Sequence, residues 1–225
     1  MCIESNEIDY SQFDFLNQKQ IDIIIIYLEH LRRHDKGNTF NHSYSVMNIA
    51  VQLGELLGIA GTNLAHLRLA ALLHDIGKIS IDEEILLKPN ALTNMEWLIM
   101  RSHPPVGAMI LMCQDFPDDI INGISQHQEK WDGTGYPNNL VGNGIFSYAQ
   151  IIKIADSYQV MRTTSRPYQK DYRPLSPNEA EDELRKCSGK DFNPAIVNVF
   201  SANHYLFLPY ILTPLPPVPM PAAAA

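Results

Sequence analysis

His74, Asp75 and Lys78 bring an imidazole, a carboxylate and an ammonium together within five residues, directly behind the apolar run Ala70-Ala71-Leu72-Leu73. A run of that kind is expected to be buried, and buried charge is costly unless it is paired or bound to a cation. A divalent ion is the natural counter-charge. If the run forms the last turns of a helix, His74 and Asp75 lie about 100° apart on its surface and converge on one ion, with Gly77 ending the helix. A carboxylate also bridges two ions, which makes Asp75 the expected centre of a dinuclear site. An isolated His-Asp pair is more often a buried structural pair than a ligand pair. The remaining histidines decide between the two.

The chain holds eight histidines. His42, His74, His103 and His127 each fall at a helix end or beside a helix break, whereas His30, His34 and His66 sit among polar residues and His204 lies near the C-terminal tail. Taken singly, each of the first four is more often structural than a ligand. Taken jointly, imidazoles delivered by different helices, with Asp75 and Asp156 on apolar faces, are what a dimetal site in a bundle core requires. We expect one ion on His42, His74, Asp75 and Asp156 and a second on Asp75, His103 and His127, with Asp75 bridging. A hydroxide between two such ions is a nucleophile near neutral pH, and the ions stabilise charge on a phosphoryl centre. The expected reaction is metal-assisted phosphoester hydrolysis. Imidazole and carboxylate ligands suit iron, manganese, zinc and nickel alike.

The elements that must position these groups follow from apolar spacing. Ile21, Ile24, Ile25, Leu28 and Leu31 recur at helical intervals up to the basic cluster Arg32, Arg33 and His34. Gly37-Asn38 breaks that helix, and a second, opened by His42, carries Val46, Ile49, Ala50, Leu53 and Leu57 on one face. Thr62 or Asn63 is the expected cap of a third, running through Leu64, Leu67, Ala71 and Leu72 into the His-Asp pair. Thr93-Asn94-Met95-Glu96 and Ser176-Pro177-Asn178-Glu179 are capping boxes. His103-Pro104-Pro105 interrupts the backbone, Pro117 begins a helix towards His127, and Trp131-Asp132-Gly133-Thr134-Gly135-Tyr136-Pro137 is an irregular loop. Ser147 to Arg162 is helical around Asp156, and Asn193-Pro194 starts a last short helix. No segment alternates apolar and polar residues in a sustained way. The expected fold is all-α: a single helical bundle with the site in its core, comprising an N-terminal segment and first helix (1–38), a catalytic domain (39–205) and a disordered Pro/Ala-rich tail (206–225).

The 225 residues, 45% hydrophobic, are those of an ordinary globular protein with one substantial core. A formal net charge of −8 argues against a surface that wraps nucleic-acid polymers, but not against a small anionic substrate held by metals. Cys2, Cys113 and Cys187 are few and far apart, which fits a reducing cytoplasm. The longest apolar run, Ile23 to Leu28, falls far short of the roughly 20 residues of a membrane helix. A soluble, cytoplasmic protein is expected.

His74-Asp75-Ile76-Gly77-Lys78 together with Gly135-Tyr136-Pro137 resembles the HD-GYP family, a subset of the HD metal-dependent phosphohydrolases. The resemblance extends over Leu87-Lys88-Pro89, Leu92-Thr93, His103-Pro104, Trp131 to Pro137, Asp156 and Arg166-Pro167-Tyr168, in the family's order, and covers roughly Thr39 to Phe200. It implies a bundle of about seven helices, a binuclear or trinuclear iron or manganese centre, and hydrolysis of cyclic di-GMP to its linear form and sometimes to GMP. It places the metal ligands on His42, His74, Asp75, His103, His127 and Asp156, with Lys78 beside the scissile phosphate as a proton donor or counter-charge. Tyr136 would line the substrate pocket, and the planar fork of Arg166 would hold a phosphate.

The chain also departs from that family. Where two adjacent histidines are usual it has His127-Gln128-Glu129, and where trinuclear members place a glutamate it has Asn38, so two ions are expected rather than three. Past Asp156 it reads Ser157-Tyr158-Gln159-Val160-Met161 in place of the usual Ala-Tyr-Asp-Ala-Met, and the stretch to Arg166 is one residue longer. These changes motivate an alternative, a weak or inactive member acting as a cyclic dinucleotide receptor or interaction domain, and a further one in which the substrate is another nucleotide. No receiver, sensor or membrane domain is expected in the short N-terminal segment, so regulation would come through a homodimer or a partner signalling protein.

Overall fold

The computed structural model describes residues 13–33, 38–88, 90–163 and 173–212, and among them the apolar repeats become α-helices. In chain order these are α1 (Gln18–Arg33), α2 (Asn38–Leu56), α3 (Gly61–Leu73), α4 (Glu83–Leu86), α5 (Asn94–Met100), α6 (His103–Met112), α7 (Asp118–Ser125), α8 (Ser147–Arg162), α9 (Pro177–Lys186), α10 (Pro194–Ala202) and α11 (Pro209–Leu212). The one β-type pairing among the described residues is an isolated bridge between Ser188 and Phe192. The fold is all-α, as the spacing of apolar residues requires.

Helix α3 is the axis of the bundle. Its last five residues, Leu69 to Leu73, are buried on every side because α2, α7 and α8 pack around it. A stretch buried all round has to be apolar all round, and these five residues are. The facing helices supply Val46, Ile49 and Leu53 from α2, Ile120 and Ile124 from α7, and Ile151, Ile154 and Tyr158 from α8. Gly123 on α7 lets that helix approach closely, since a Cβ there would meet the Ala70 side chain at 3.1 Å. α1 is not a separate unit, because Ile24, Tyr27, Leu28 and Leu31 enter the same core.

Local signals explain most boundaries. Both capping boxes form: Thr93 with Glu96 opens α5, and Ser176 with Glu179 opens α9. Two expectations are corrected. α3 is not capped by Thr62 or Asn63; it starts at Gly61 behind an extended Ala60, after a turn in which Gly58 and Gly61 both adopt positive φ. α2 begins at Asn38, which places His42 in its second turn rather than at its start.

The expected tail boundary also moves. Residues 204–207 form a 3₁₀ turn whose Phe207 is fully buried and stacked on Phe200, with ring centroids 4.4 Å apart. The folded part therefore continues through α11. No helix among the described residues is long and apolar enough to cross a membrane.

Candidate metal centre

The chain leaves α3 at His74, which keeps helical dihedrals, and turns at Asp75 (φ −99°, ψ 9°) into a 3₁₀ segment over Ile76–Ser80. Gly77 was expected to end the helix, and its role is different. A Cβ at Gly77 would lie 1.9 Å from the carbonyl oxygen of His103 and 2.7 Å from the amide nitrogen of Gly107. Only glycine lets this segment press against the first turn of α6. That contact brings His103 to Asp75.

Four imidazoles surround the Asp75 carboxylate, and its two oxygens face different pairs. Oδ2 lies 3.3 Å from His74 Nε2 and 3.7 Å from His42 Nε2, while Oδ1 lies 3.3 Å from His103 Nε2 and 3.9 Å from His127 Nε2. Asp156 Oδ1 closes the first group at 3.5 Å from His42 Nε2. His74, Asp75, His103 and His127 are all buried. Lys78 Nζ meets Asp75 Oδ2 at 2.5 Å.

The far side of each ring fixes its tautomer. The Nδ1 atoms of His74, His103 and His127 point at the backbone carbonyls of Ala71, Met100 and Ile124 at 2.8, 2.7 and 2.7 Å. A carbonyl only accepts, so each Nδ1 carries the proton, and in its neutral form each ring turns a bare Nε2 lone pair inward. His42 does the same through Gln159, whose Oε1 lies 2.7 Å from its Nδ1. The inward lone pairs then meet in contact, His103 Nε2 to His127 Nε2 at 3.1 Å and His42 Nε2 to His74 Nε2 at 3.3 Å. Two lone pairs in contact need a cation between them. The donor set, with carboxylate oxygens beside each pair, fits two divalent ions sharing Asp75.

Electrostatics agree with this accounting for three of the four rings, His42, His103 and His127, and set His74 apart. Burial pushes His42 and His127 below the ordinary imidazole range and His103 down to about 4, which keeps these rings neutral at pH 7. Burial acts the same way on His74, but the charge of Asp75 outweighs it and raises that ring. Burial alone would raise Asp75; Lys78, then His74, hold it well below the usual carboxylate range. Asp156 is likewise held low against burial by His42 and His74, with a smaller contribution from Lys153.

The loop after His127 is tied to the same scaffold. Glu129 is buried and accepts from the backbone amides of Asn138 at 2.6 Å and Leu140 at 3.1 Å. Gly135 lies on the Glu129–Lys130 backbone, where a Cβ would meet Lys130 N at 2.2 Å. The Arg101 guanidinium, two residues before His103, sits 5.3 Å over the Tyr136 ring. Tyr136 is thus held between Arg101 and the segment that follows His127, where its amide donates to the Gln128 carbonyl. Gln128 accepts from Lys153 Nζ at 2.9 Å.

All six expected ligands and Lys78 are brought together, with Tyr136 on the adjoining loop. Arg166 lies outside the described residues. Gln159, Glu129, Arg101 and Lys153 were not singled out as site residues from the sequence. The change at Gln159 from the resembling family's pattern was the available signal for the first, and the lone lysine on the face of Asp156 for the last.

Three comparisons bear on this geometry. An HD domain family model matches residues 18–196. Among curated proteins, the chain is similar to a cyclic di-GMP phosphodiesterase of Thermotoga maritima, 35% identical over 175 residues covering 77% of this chain and 46% of the relative. It is also similar to a 3'3'-cGAMP-specific phosphodiesterase of Vibrio cholerae, 34% identical over 163 residues covering 70% and 30%. The chain spans less than half the length of either relative. The fold is shared with a cyclic GMP-AMP phosphodiesterase from Vibrio cholerae, with TM-score 0.61, 18% identity and coverage of 85% of this chain and 50% of that one. It is shared as well with the HD domain of a Listeria monocytogenes phosphodiesterase solved with cyclic-di-AMP, with TM-score 0.56, 20% identity and coverage of 84% and 97%.

Proposed function

The chain belongs to the HD-domain family and carries the HD-GYP signature, and from this premise we propose that it is a metal-dependent phosphodiesterase cleaving cyclic di-GMP to the linear dinucleotide and, in a second step, to GMP. The observation that carries the reading is the pair of inward lone-pair contacts around Asp75, each flanked by a different carboxylate oxygen. His42, His74, Asp75 and Asp156 would hold one ion and Asp75, His103 and His127 the second, iron or manganese in each. When bound, the ions supply a nucleophilic water near neutral pH and draw charge from the phosphoryl oxygens.

The chain's own groups supply the rest. In the hydrolysis the oxygen of water bonds to phosphorus, the ester bond to one ribose oxygen breaks, and that oxygen takes up a proton. Lys78, held at 2.5 Å by Asp75, would give it. The clamped Gly135-Tyr136-Pro137 loop offers an aromatic face to a guanine base, and Arg101 behind the ring fixes its plane. Catalysis would reside in residues 39 to 212, with α1 completing the core beneath them.

Support for the substrate class comes from the relatives, whose names divide among cyclic dinucleotides. The test is a panel of cyclic di-GMP, 3'3'-cGAMP, cyclic-di-AMP and mononucleotides on manganese- and iron-loaded protein, with product identification. Linear dinucleotide from cyclic di-GMP at the highest kcat/KM is expected. Bound but uncut nucleotide at saturating metal would move the function to a receptor. Turnover of mononucleotides alone would move it to another phosphohydrolase.

A further inference from the structure

The four imidazoles of the centre are oriented in two different ways. His74, His103 and His127 each follow a helix whose last carbonyls have no partner within it, and each Nδ1 turns to one of these, Ala71 of α3, Met100 of α5 and Ile124 of α7. His42 instead lies in the second turn of α2, where the carbonyls of the preceding turn are engaged by the helix itself. Its Nδ1 has to find an acceptor on another element, and α8 supplies one, Gln159 Oε1 at 2.7 Å. The same helix delivers Asp156 one turn earlier, with Oδ1 3.5 Å from His42 Nε2. α8 therefore addresses both nitrogens of one ring, Asp156 the inner and Gln159 the outer.

Gln159 is buried, and it stands where the chain departs from the sequence pattern it otherwise resembles. With an amide oxygen on Nδ1, the ring keeps its proton there and Nε2 is bare for an ion; without an acceptor, the proton is free to occupy Nε2, where it blocks ligation. Three rings take this instruction from the backbone, which no side-chain substitution removes. His42 takes it from a side chain. Resting on the two-ion reading, we propose that Gln159 is a positioning residue for the first ion: by accepting from His42 Nδ1 it fixes the tautomer that ligates, and so sets the affinity of the His42, His74 and Asp156 side without touching the His103 and His127 side. The amide is neutral, so it fixes the proton without adding charge to the centre. A carboxylate in its place would do both, and would make His42 a stronger ligand.

The test compares wild type, Gln159→Leu and Gln159→Glu by two readouts, neither of them activity. The first is the ¹⁵N signature of the His42 ring in metal-free protein, which reports where its proton sits. The second is the affinity of each Mn²⁺ equivalent, measured against a competing chelator. Gln159→Leu keeps the volume and removes the acceptor; it should turn the Nδ1–H signature of His42 into a mixture of tautomers and weaken one equivalent about tenfold to a hundredfold, with the other unchanged. Gln159→Glu has only acceptor oxygens at its end; it should keep the Nδ1–H signature and bind the first ion at least as tightly as wild type, and it carries the test if the Leu variant does not fold. Affinities of Gln159→Leu within about twofold of wild type for both equivalents overturn the proposal. So does an equal loss of both equivalents, which would mark Gln159 as a support of the bundle, and so does a Glu variant that falls as far as the Leu variant. Wild type that binds no Mn²⁺ while His42 carries its proton on Nδ1 overturns the two-ion reading beneath the proposal; wild type that binds two ions but carries the metal-free proton of His42 on Nε2 overturns the proposal alone.

Discussion

Asp75 joins the two halves of the centre because its oxygens face different imidazole pairs, and the rings around it have bare nitrogens inward for reasons set by their other side. That arrangement makes the metal-free protein sensitive to acid. His42, His103 and His127 are held below the ordinary value of 6.5 by burial, His103 down to about 4. Between about pH 6.5 and 4 the unfolded chain binds more protons at His103 than the folded one, and His42 and His127 act in the same direction below 6.5, so stability falls as pH falls. For His103 the slope within that window approaches about 1.4 kcal/mol per pH unit. His74 has the opposite sign, since Asp75 outweighs burial and raises it; its contribution is complete below 6.5 and is lost above. Urea melts of chelator-treated protein at pH 6.5, 5.5 and 4.5 should show midpoints falling steadily, and His103→Gln should flatten the fall. Midpoints that do not move would contradict the assigned ring states.

At the scale of elements, the decisive contact is the 3₁₀ segment after α3 lying on the first turn of α6. Gly77→Ala places a methyl on the His103 carbonyl and must push that histidine off Asp75. A loss of about 2–4 kcal/mol in stability is expected, with one metal equivalent lost while the His42 and His74 side stays loaded. Thermal melts and metal analysis of the variant check this, and wild-type values in both would refute the role assigned to Gly77. This contact also marks where sequence reading stopped. The helices were legible because their apolar spacing and capping boxes are local, and the His-Asp cluster was legible because His74, Asp75, His103 and His127 sit at or just past helix ends, while His42 and Asp156 lie inside α2 and α8 on apolar faces. Gln159 meeting His42 and Arg101 over Tyr136 depend on segments 117 and 35 positions apart in the chain, and no local rule announces such meetings. A glycine after a helix, as Gly77 is, reads as a cap unless the neighbouring element is known.

At the scale of the molecule, the centre is as rigid as the bundle that surrounds it, and the bundle is closed by its C-terminal turn. Phe207 is buried on Phe200, which in turn touches Tyr158 of α8, the helix that delivers Asp156. Phe207→Ala should cost about 3–5 kcal/mol and loosen metal binding with it, as read by a melt with and without added Mn²⁺; an unchanged melting temperature would show that residues 204–212 are dispensable. The central claim is that two ions share Asp75, and the direct test is metal content per chain on anaerobically purified wild type and Asp75→Ala. Two equivalents of iron or manganese in the wild type, and close to none in the variant at an unchanged helical content, is the predicted result. A wild type without metal after loading, or a variant that keeps both ions, would contradict it.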